Sequence, residues 1–235
     1  MRRPYVIMNA AMTLDGKVVT AGGDSRISCE EDLDRLHRLR SEVDAVIVGA
    51  GTILADDPSL TVRRVPGKNP VRVVVDGRGR IPLTARVLRD GHRTIVAVSS
   101  LAGKGKVEAI RETGAEVWVF RGRRVNLSKL LERLHGLGVR RVLLEGGPTL
   151  NWEMLREGLV DEVRVSVAPV IVGGEKAKTL VEGRGFKRVM DGIRLSLVRI
   201  ERVGKDLLLV YRVGERFDQG GQKRVSARRG RARHP

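Results

Sequence analysis

The chain has one cysteine, little aromatic side chain and almost no glutamine. Cys29 standing alone excludes an internal disulfide and any zinc site built on several cysteines. As a nucleophile it is poorly placed: Glu30 and Glu31 raise a thiol pKa while an incipient helix lowers it, so an inert, packed thiol is expected. An aromatic content of 3% leaves little for stacking nucleic-acid bases. Glutamine occurs only at Gln219 and Gln222, which suits a thermophilic source. No apolar run approaches the roughly 18 to 20 residues of a membrane span. Met1-Arg2-Arg3-Pro4 has the charge of a signal peptide, but Asp15 and Lys17 interrupt any apolar region behind it. A cytoplasmic protein is expected.

What the chain has is a globular composition, 41% hydrophobic and 31% charged over 235 residues, and a net charge of +17. The charge raises the question of a nucleic-acid partner. Its distribution answers against one. From Gly214 onward seven Arg or Lys face Glu215 and Asp218, a net of +5, in a segment without apolar periodicity. We expect residues 214–235 to be a basic, disordered tail that binds polyanions weakly at most. The remaining +12 is interleaved with acids through the body, which suits an anionic metabolite and a phosphate-bearing cofactor.

Apolar runs alternate with helical periodicity. Strands are predicted at 5–11, 45–48, 71–75, 94–98, 116–120, 141–144 and 162–167. Ser28 with Glu31 fits a capping box, opening a helix that carries Leu33, Leu36 and Leu39 and ends near Ser41. Further helical segments fall near 104–113 and 128–137. Strands alternating with helices argue for an α/β domain over residues 1–213 with a mostly parallel sheet. Residues 193–202 and 206–212, around Gly204-Lys205, read as an antiparallel hairpin closing one edge.

Two glycine pairs sit between a strand and a helix, Gly49-Ala50-Gly51-Thr52 and Gly146-Gly147-Pro148-Thr149-Leu150. Each admits close approach of a phosphate to backbone N–H groups, or tight strand-to-helix packing. Pro148 suits a first helical turn. The first pair fails the dinucleotide fingerprint, because Leu54 stands where its third glycine belongs. Arg40 and Arg63 are candidates for bidentate phosphate contact, with solvated arginine as the alternative.

Five motifs in order resemble the reductases of riboflavin biosynthesis: Asn9 to Lys17, Arg40 to Thr52, Ala55 to Arg63, Pro70 to Asp76, and Glu145 to Leu150 with the 169–174 turn. The resemblance covers about residues 4–213. It implies a dihydrofolate-reductase-like fold, NADPH as cofactor and a homodimer. By position it assigns Thr52, Asp56, Ser99 and Gly146, Gly147, Pro148, Thr149 and Leu150 to the cofactor. It assigns Arg40, Leu60 and Arg63 to the substrate, the arginines as a clamp on a 5′-phosphate, and Asp24 or Ser25 beside the sugar. Asn9 and Asp15 join the substrate set by position, although Asp15 could equally satisfy loop backbone. Arg26 stands where some bacterial relatives carry an aromatic residue. No metal is expected.

The implied reaction is hydride transfer to C1′ of a ring-opened ribosylamine. Glu145 is the candidate acid, with ordered water as the alternative. The chain lacks the H-x-E and P-C-x-x-C of a fused zinc deaminase. A stand-alone reductase points to 2,5-diamino-6-ribosylamino-pyrimidinone 5′-phosphate as substrate rather than its deaminated uracil analogue. Dihydrofolate reduction is the rival activity, and the Arg40 and Arg63 pair suits a phosphate better than a folate.

Overall fold

Runs of β-branched residues, too apolar to tolerate water on either side, supply the centre of the molecule. In the computed structural model, which describes residues 2–214, the chain begins with β1 (Tyr5–Thr13), β2 (Lys17–Val19), α1 (Glu30–Ser41), β3 (Ala45–Gly49), α2 (Ala50–Asp56) and β4 (Val71–Val75). It continues through α3 (Arg86–Arg89), β5 (Thr94–Ser99), α4 (Lys104–Glu112), β6 (Glu116–Phe120), α5 (Leu127–Gly136), β7 (Arg141–Leu144) and α6 (Pro148–Arg156). The last elements are β8 (Glu162–Ala168), β9 (Lys178–Thr179), β10 (Leu195–Val203) and β11 (Asp206–Val213). Met1 and residues 215–235, which include nearly all of the expected basic tail, lie outside the described residues.

Nine strands form one sheet in the order β10-β11-β8-β1-β7-β3-β4-β5-β6. The pairings from β8 through β6 are parallel, and β11 and β10 add antiparallel. The expected edge hairpin is present, closed by Gly204 at φ 57° between Val203 and Asp206. Alternation sends successive side chains to opposite faces. Ala45 and Ile47 join one apolar cluster with Leu130, Leu134 and Met154; Val46 and Val48 join the other with Leu39, Ile53 and Ile110. Helices therefore cover both faces.

The capping box is corrected. Cys29, not Ser28, is the N-cap of α1, and no side chain caps it. The Cys29 N–H donates instead to Asp206 Oδ2 at 3.0 Å, a carboxylate 177 residues away at the hairpin. Burial raises the Cys29 pKa, in keeping with an inert thiol. The predicted apolar face of α1 is also incomplete: Leu39 is buried, but so are Asp32, His37 and Arg40. That buried polar face points toward the functional site.

Candidate functional site

The two glycine pairs, 97 residues apart, meet because β3 and β7 are neighbours, with Ile47 opposite Leu144. The Glu145 N–H donates to Ile47 O at 3.0 Å, and the Gly49 N–H donates to Gly146 O at 2.7 Å. Gly146 has φ 96°, a conformation that favours glycine, and its peptide to Gly147 is cis. A methyl group at Gly147 would lie 3.2 Å from Thr52 Oγ1, and one at Gly49 would lie 3.6 Å from Leu150 Cβ. The absence of side chains thus brings the starts of α2 and α6 together. Gly147 is the N-cap of α6, without a side-chain cap, and Pro148 occupies its first turn. The N–H groups of Thr149 and Leu150 have no acceptor within the helix, which suits an anion. The close-packing reading of these glycines is what the structure shows, and the same turn leaves backbone donors free beside it.

Beside the cradle, Glu145 leaves the end of β7 and meets Arg40. Arg40 Nε and Nη2 donate to Glu145 Oε1 and Oε2, each at 2.7 Å, and both side chains are about nine-tenths buried. Burial disfavours the arginine's charge; the attraction and hydrogen bonds of Glu145 outweigh it, and the Arg40 pKa lies above its ordinary value. Arg40 Nη1 also donates to Thr61 O at 3.2 Å. The loop carrying Thr61 is pinned elsewhere too. Arg86 N–H bonds Asp57, Arg72 Nη1 bonds Ser59 O, and the Val62 and Arg63 N–H groups bond Asn69 Oδ1 and His37 Nδ1. Arg64 is committed to Glu30 and Asp34 on α1. Arg63, by contrast, is exposed and has no side-chain ion pair among the described residues.

The RibD C-terminal domain family matches residues 4–209. The chain belongs to that family. It is 58% identical over 214 residues to the 2,5-diamino-6-ribosylamino-4(3H)-pyrimidinone 5′-phosphate reductase of Methanothermobacter thermautotrophicus, covering 90% of this chain and 99% of that protein. The enzyme of the same name from Archaeoglobus fulgidus is 47% identical over 221 residues, covering 89% and 98%. The solved RibD of Acinetobacter baumannii superposes with a TM-score of 0.79 at 29% identity, over 90% of this chain and 58% of that one. This chain therefore spans a little over half of the longer RibD protein. The relatives are oxidoreductases of riboflavin biosynthesis, a family that works with a pyridine nucleotide, and the fold is dihydrofolate-reductase-like.

Within this family fold the remaining site residues divide. Thr52 borders the cradle, and Asp56 accepts from Ser25 Oγ at 3.2 Å, joining an expected cofactor residue to an expected substrate residue. Asp24 accepts from Arg26 N and Nε; those hydrogen bonds, the side-chain one foremost, hold its pKa at about 2. Arg26 is thereby folded back on Asp24 in the open. Asn9 is buried and accepts from Arg35 Nη2 at 2.9 Å.

Three expectations change. Leu60 does not line a pocket with its side chain: it is 1% exposed and packs in the core, while its φ of 56° turns the loop. Ser99 is fully buried, and its hydroxyl donates to Gly77 O and accepts from Leu101 N–H, tying two loops together rather than facing a cofactor. Asp15 takes its alternative role. It accepts from Thr13 Oγ1 at 2.6 Å and from the Val172 and Gly173 N–H groups, joining the 13–17 and 170–174 loops. Those hydrogen bonds, Thr13 foremost, lower its pKa.

Sequence reasoning missed His37, Arg72 and Asn151. Arg72 is fully buried, with five hydrogen bonds that fasten the loops at Ser59 and Asp90. Asn151, on the first turns of α6, bonds Leu180 O through Nδ2, and its buried Oδ1 has no partner among the described residues. For His37 a signal existed: it precedes Arg40 by three residues, which puts both on one helix face.

Proposed function

We propose that this chain reduces the ribose C1′ of 2,5-diamino-6-ribosylamino-pyrimidinone 5′-phosphate to the ribitylamino product, using NADPH. One observation carries the reading. The glycine cradle, a place for a pyrophosphate, is contiguous through Glu145 and Arg40 with a pinned loop that presents one uncommitted arginine, Arg63. A site with two adjacent anion positions fits a dinucleotide and a sugar phosphate together. Bound NADPH would supply the hydride; the protein's part is to hold the two reactants in contact.

The contacts support the following division of roles. Gly146, Gly147 and the N–H groups of Thr149 and Leu150 hold cofactor phosphate, with Thr52 and Asp56 alongside. Arg63 takes the 5′-phosphate. Arg40, expected as the second half of a clamp, is committed to Glu145, so its contribution is to fix that carboxylate and the Thr61 carbonyl. With both oxygens accepting from Arg40, Glu145 is arranged as an acceptor for sugar hydroxyls, and the proton comes from water.

The working unit is a homodimer in this reading. Leu195, Leu197 and Ile200 of β10 and Leu207 of β11 are exposed on one face of the edge hairpin, an apolar surface of the kind that a second copy covers. Among the described residues no helix is long and apolar enough to cross a membrane.

The test is to mix the purified chain with NADPH and each of the two pyrimidines, diamino and deaminated, and follow absorbance of the reduced cofactor. Faster turnover of the diamino compound supports the assignment; equal or faster use of the uracil compound reverses it.

A further inference from the structure

One buried titratable group at the site has no part in the reaction described above. His37 is 3% exposed and lies on the same face of α1 as Arg40. Its Nδ1 accepts the backbone N–H of Arg63 at 2.9 Å. The helix therefore grips the substrate loop on both sides of residue 62, at the Thr61 carbonyl through Arg40 and at the Arg63 amide through His37.

We propose that His37 is a positioning residue: as a neutral acceptor for the Arg63 amide it aims the Arg63 guanidinium at the substrate phosphate. The inference rests on the reading of Arg63 given above. Holding the amide sets the orientation of the 62–63 peptide, and with it the direction in which the Arg63 side chain leaves the backbone. Arg63 is the terminal lever of this arrangement, since its guanidinium has no other partner among the described residues, whereas the neighbouring Arg64 is fastened to Glu30 and Asp34. A flexible arginine aimed in advance loses less conformational freedom when it meets its anion.

The role requires an uncharged ring. An imidazole that accepts at Nδ1 and is neutral carries its proton on Nε2; the imidazolium has no lone pair to offer. The surroundings enforce neutrality. Burial disfavours the charge first, then Arg40 from the same helix and Arg63 and Arg64 from the loop repel it, against the attraction of Glu145 at the end of β7. These bring the His37 pKa to about 4.

The experiment compares His37→Phe, which keeps a ring and removes the acceptor, with His37→Asn, whose amide oxygen stands near the place of Nδ1. His37→Phe should raise KM for the ribosylamino phosphate roughly ten-fold, the size of one lost hydrogen bond, while kcat and the KM for NADPH stay near wild type. His37→Asn should recover most of that loss. Unchanged substrate KM in His37→Phe, or a fall in kcat alone, overturns the proposal. Arg63→Ala separates the two levels: if it leaves substrate KM unchanged, the reading of Arg63 has failed; if it raises KM and His37→Phe does not, only the positioning role has failed. Should His37→Phe not fold, nitrogen NMR of labelled histidine in the wild-type enzyme decides at pH 7. The Nε2–H tautomer with a bare Nδ1 is expected, and an Nδ1–H tautomer or an imidazolium overturns the role.

Discussion

Arg40 and Glu145 form a two-point ion pair, 2.7 Å at each contact, between the last turn of α1 and the end of a central strand. The pair joins the two halves of the site, because Glu145 precedes the glycine cradle and Arg40 holds the substrate loop. Removing one partner leaves a buried charge alone, at a cost of about 3–5 kcal/mol. Glu145→Ala should therefore lose about that much stability in denaturant melts and nearly all turnover. Arg40→Lys, which keeps the charge but not the fork, should lie between wild type and Glu145→Ala. Additive losses in the Arg40→Ala, Glu145→Ala double variant would show that the two act independently.

Arg63 and Arg64 are adjacent and both exposed, yet their expected roles differ. Loss of a charge-assisted hydrogen bond to phosphate costs roughly 1.5–3 kcal/mol, or about 10- to 150-fold in affinity. Arg63→Ala should weaken substrate binding by that factor and leave NADPH binding intact. Arg64→Ala removes partly exposed ion pairs worth about 1 kcal/mol or less each and should change substrate affinity less than Arg63→Ala. Titration calorimetry with the sugar phosphate and with NADPH separates the ligands.

The pH dependence of stability should carry the mark of His37. Its folded pKa, about 4, lies below the ordinary histidine value of 6.5. Between those values the unfolded chain binds a proton that the folded chain refuses, so stability falls as pH drops from about 6.5 to about 4 and is flat in this group beyond that window. The largest loss from a shift of this size is about 3 kcal/mol. His37→Asn should remove this part of the slope when melts are recorded from pH 7 to pH 4. An identical slope in the variant would mean that other groups produce it.

At Gly147 a methyl group would fall 3.2 Å from Thr52 Oγ1, within the cradle. Gly147→Ala should fold and should raise KM for NADPH more than KM for the sugar phosphate. NADPH should also be used more efficiently than NADH, with Arg78 and Arg80 in the loop after β4 and Lys104 at the start of α4, at the same end of the sheet, available to a 2′-phosphate. Equal catalytic efficiency with the two cofactors would count against both the assignment and the choice of NADPH.

Removal of residues 214–235 should leave turnover and oligomeric mass near the full-length values. β11 completes its pairing with β8 and β10 by Val213, so every strand of the sheet lies before the cut. Size-exclusion chromatography with light scattering, alongside the absorbance assay, checks both. Loss of either would extend the functional domain into the tail.

What the sequence determined by itself was local or periodic. Thr94 to Val98 reads as a buried strand because every position is apolar or small, Val71 to Val75 does so in spite of Arg72, and Gly204-Lys205 between alternating runs reads as a hairpin turn. The cradle's chemistry was legible as well, because glycine and proline act on the backbone that bears them. Strand order lay beyond it. Nothing local says that β7 inserts between β1 and β3, yet that insertion alone brings Gly49 to Gly146 and Arg40 to Glu145. The same limit explains Leu60, Ser99 and Cys29. A side chain's role depends on which atoms surround it, and an N-cap cysteine whose N–H is met by Asp206, a leucine turned into the core and a serine bonded across two loops are decided by packing between distant segments. Motif and period specify which groups are present; only the tertiary arrangement decides which of them remain uncommitted and able to meet a ligand.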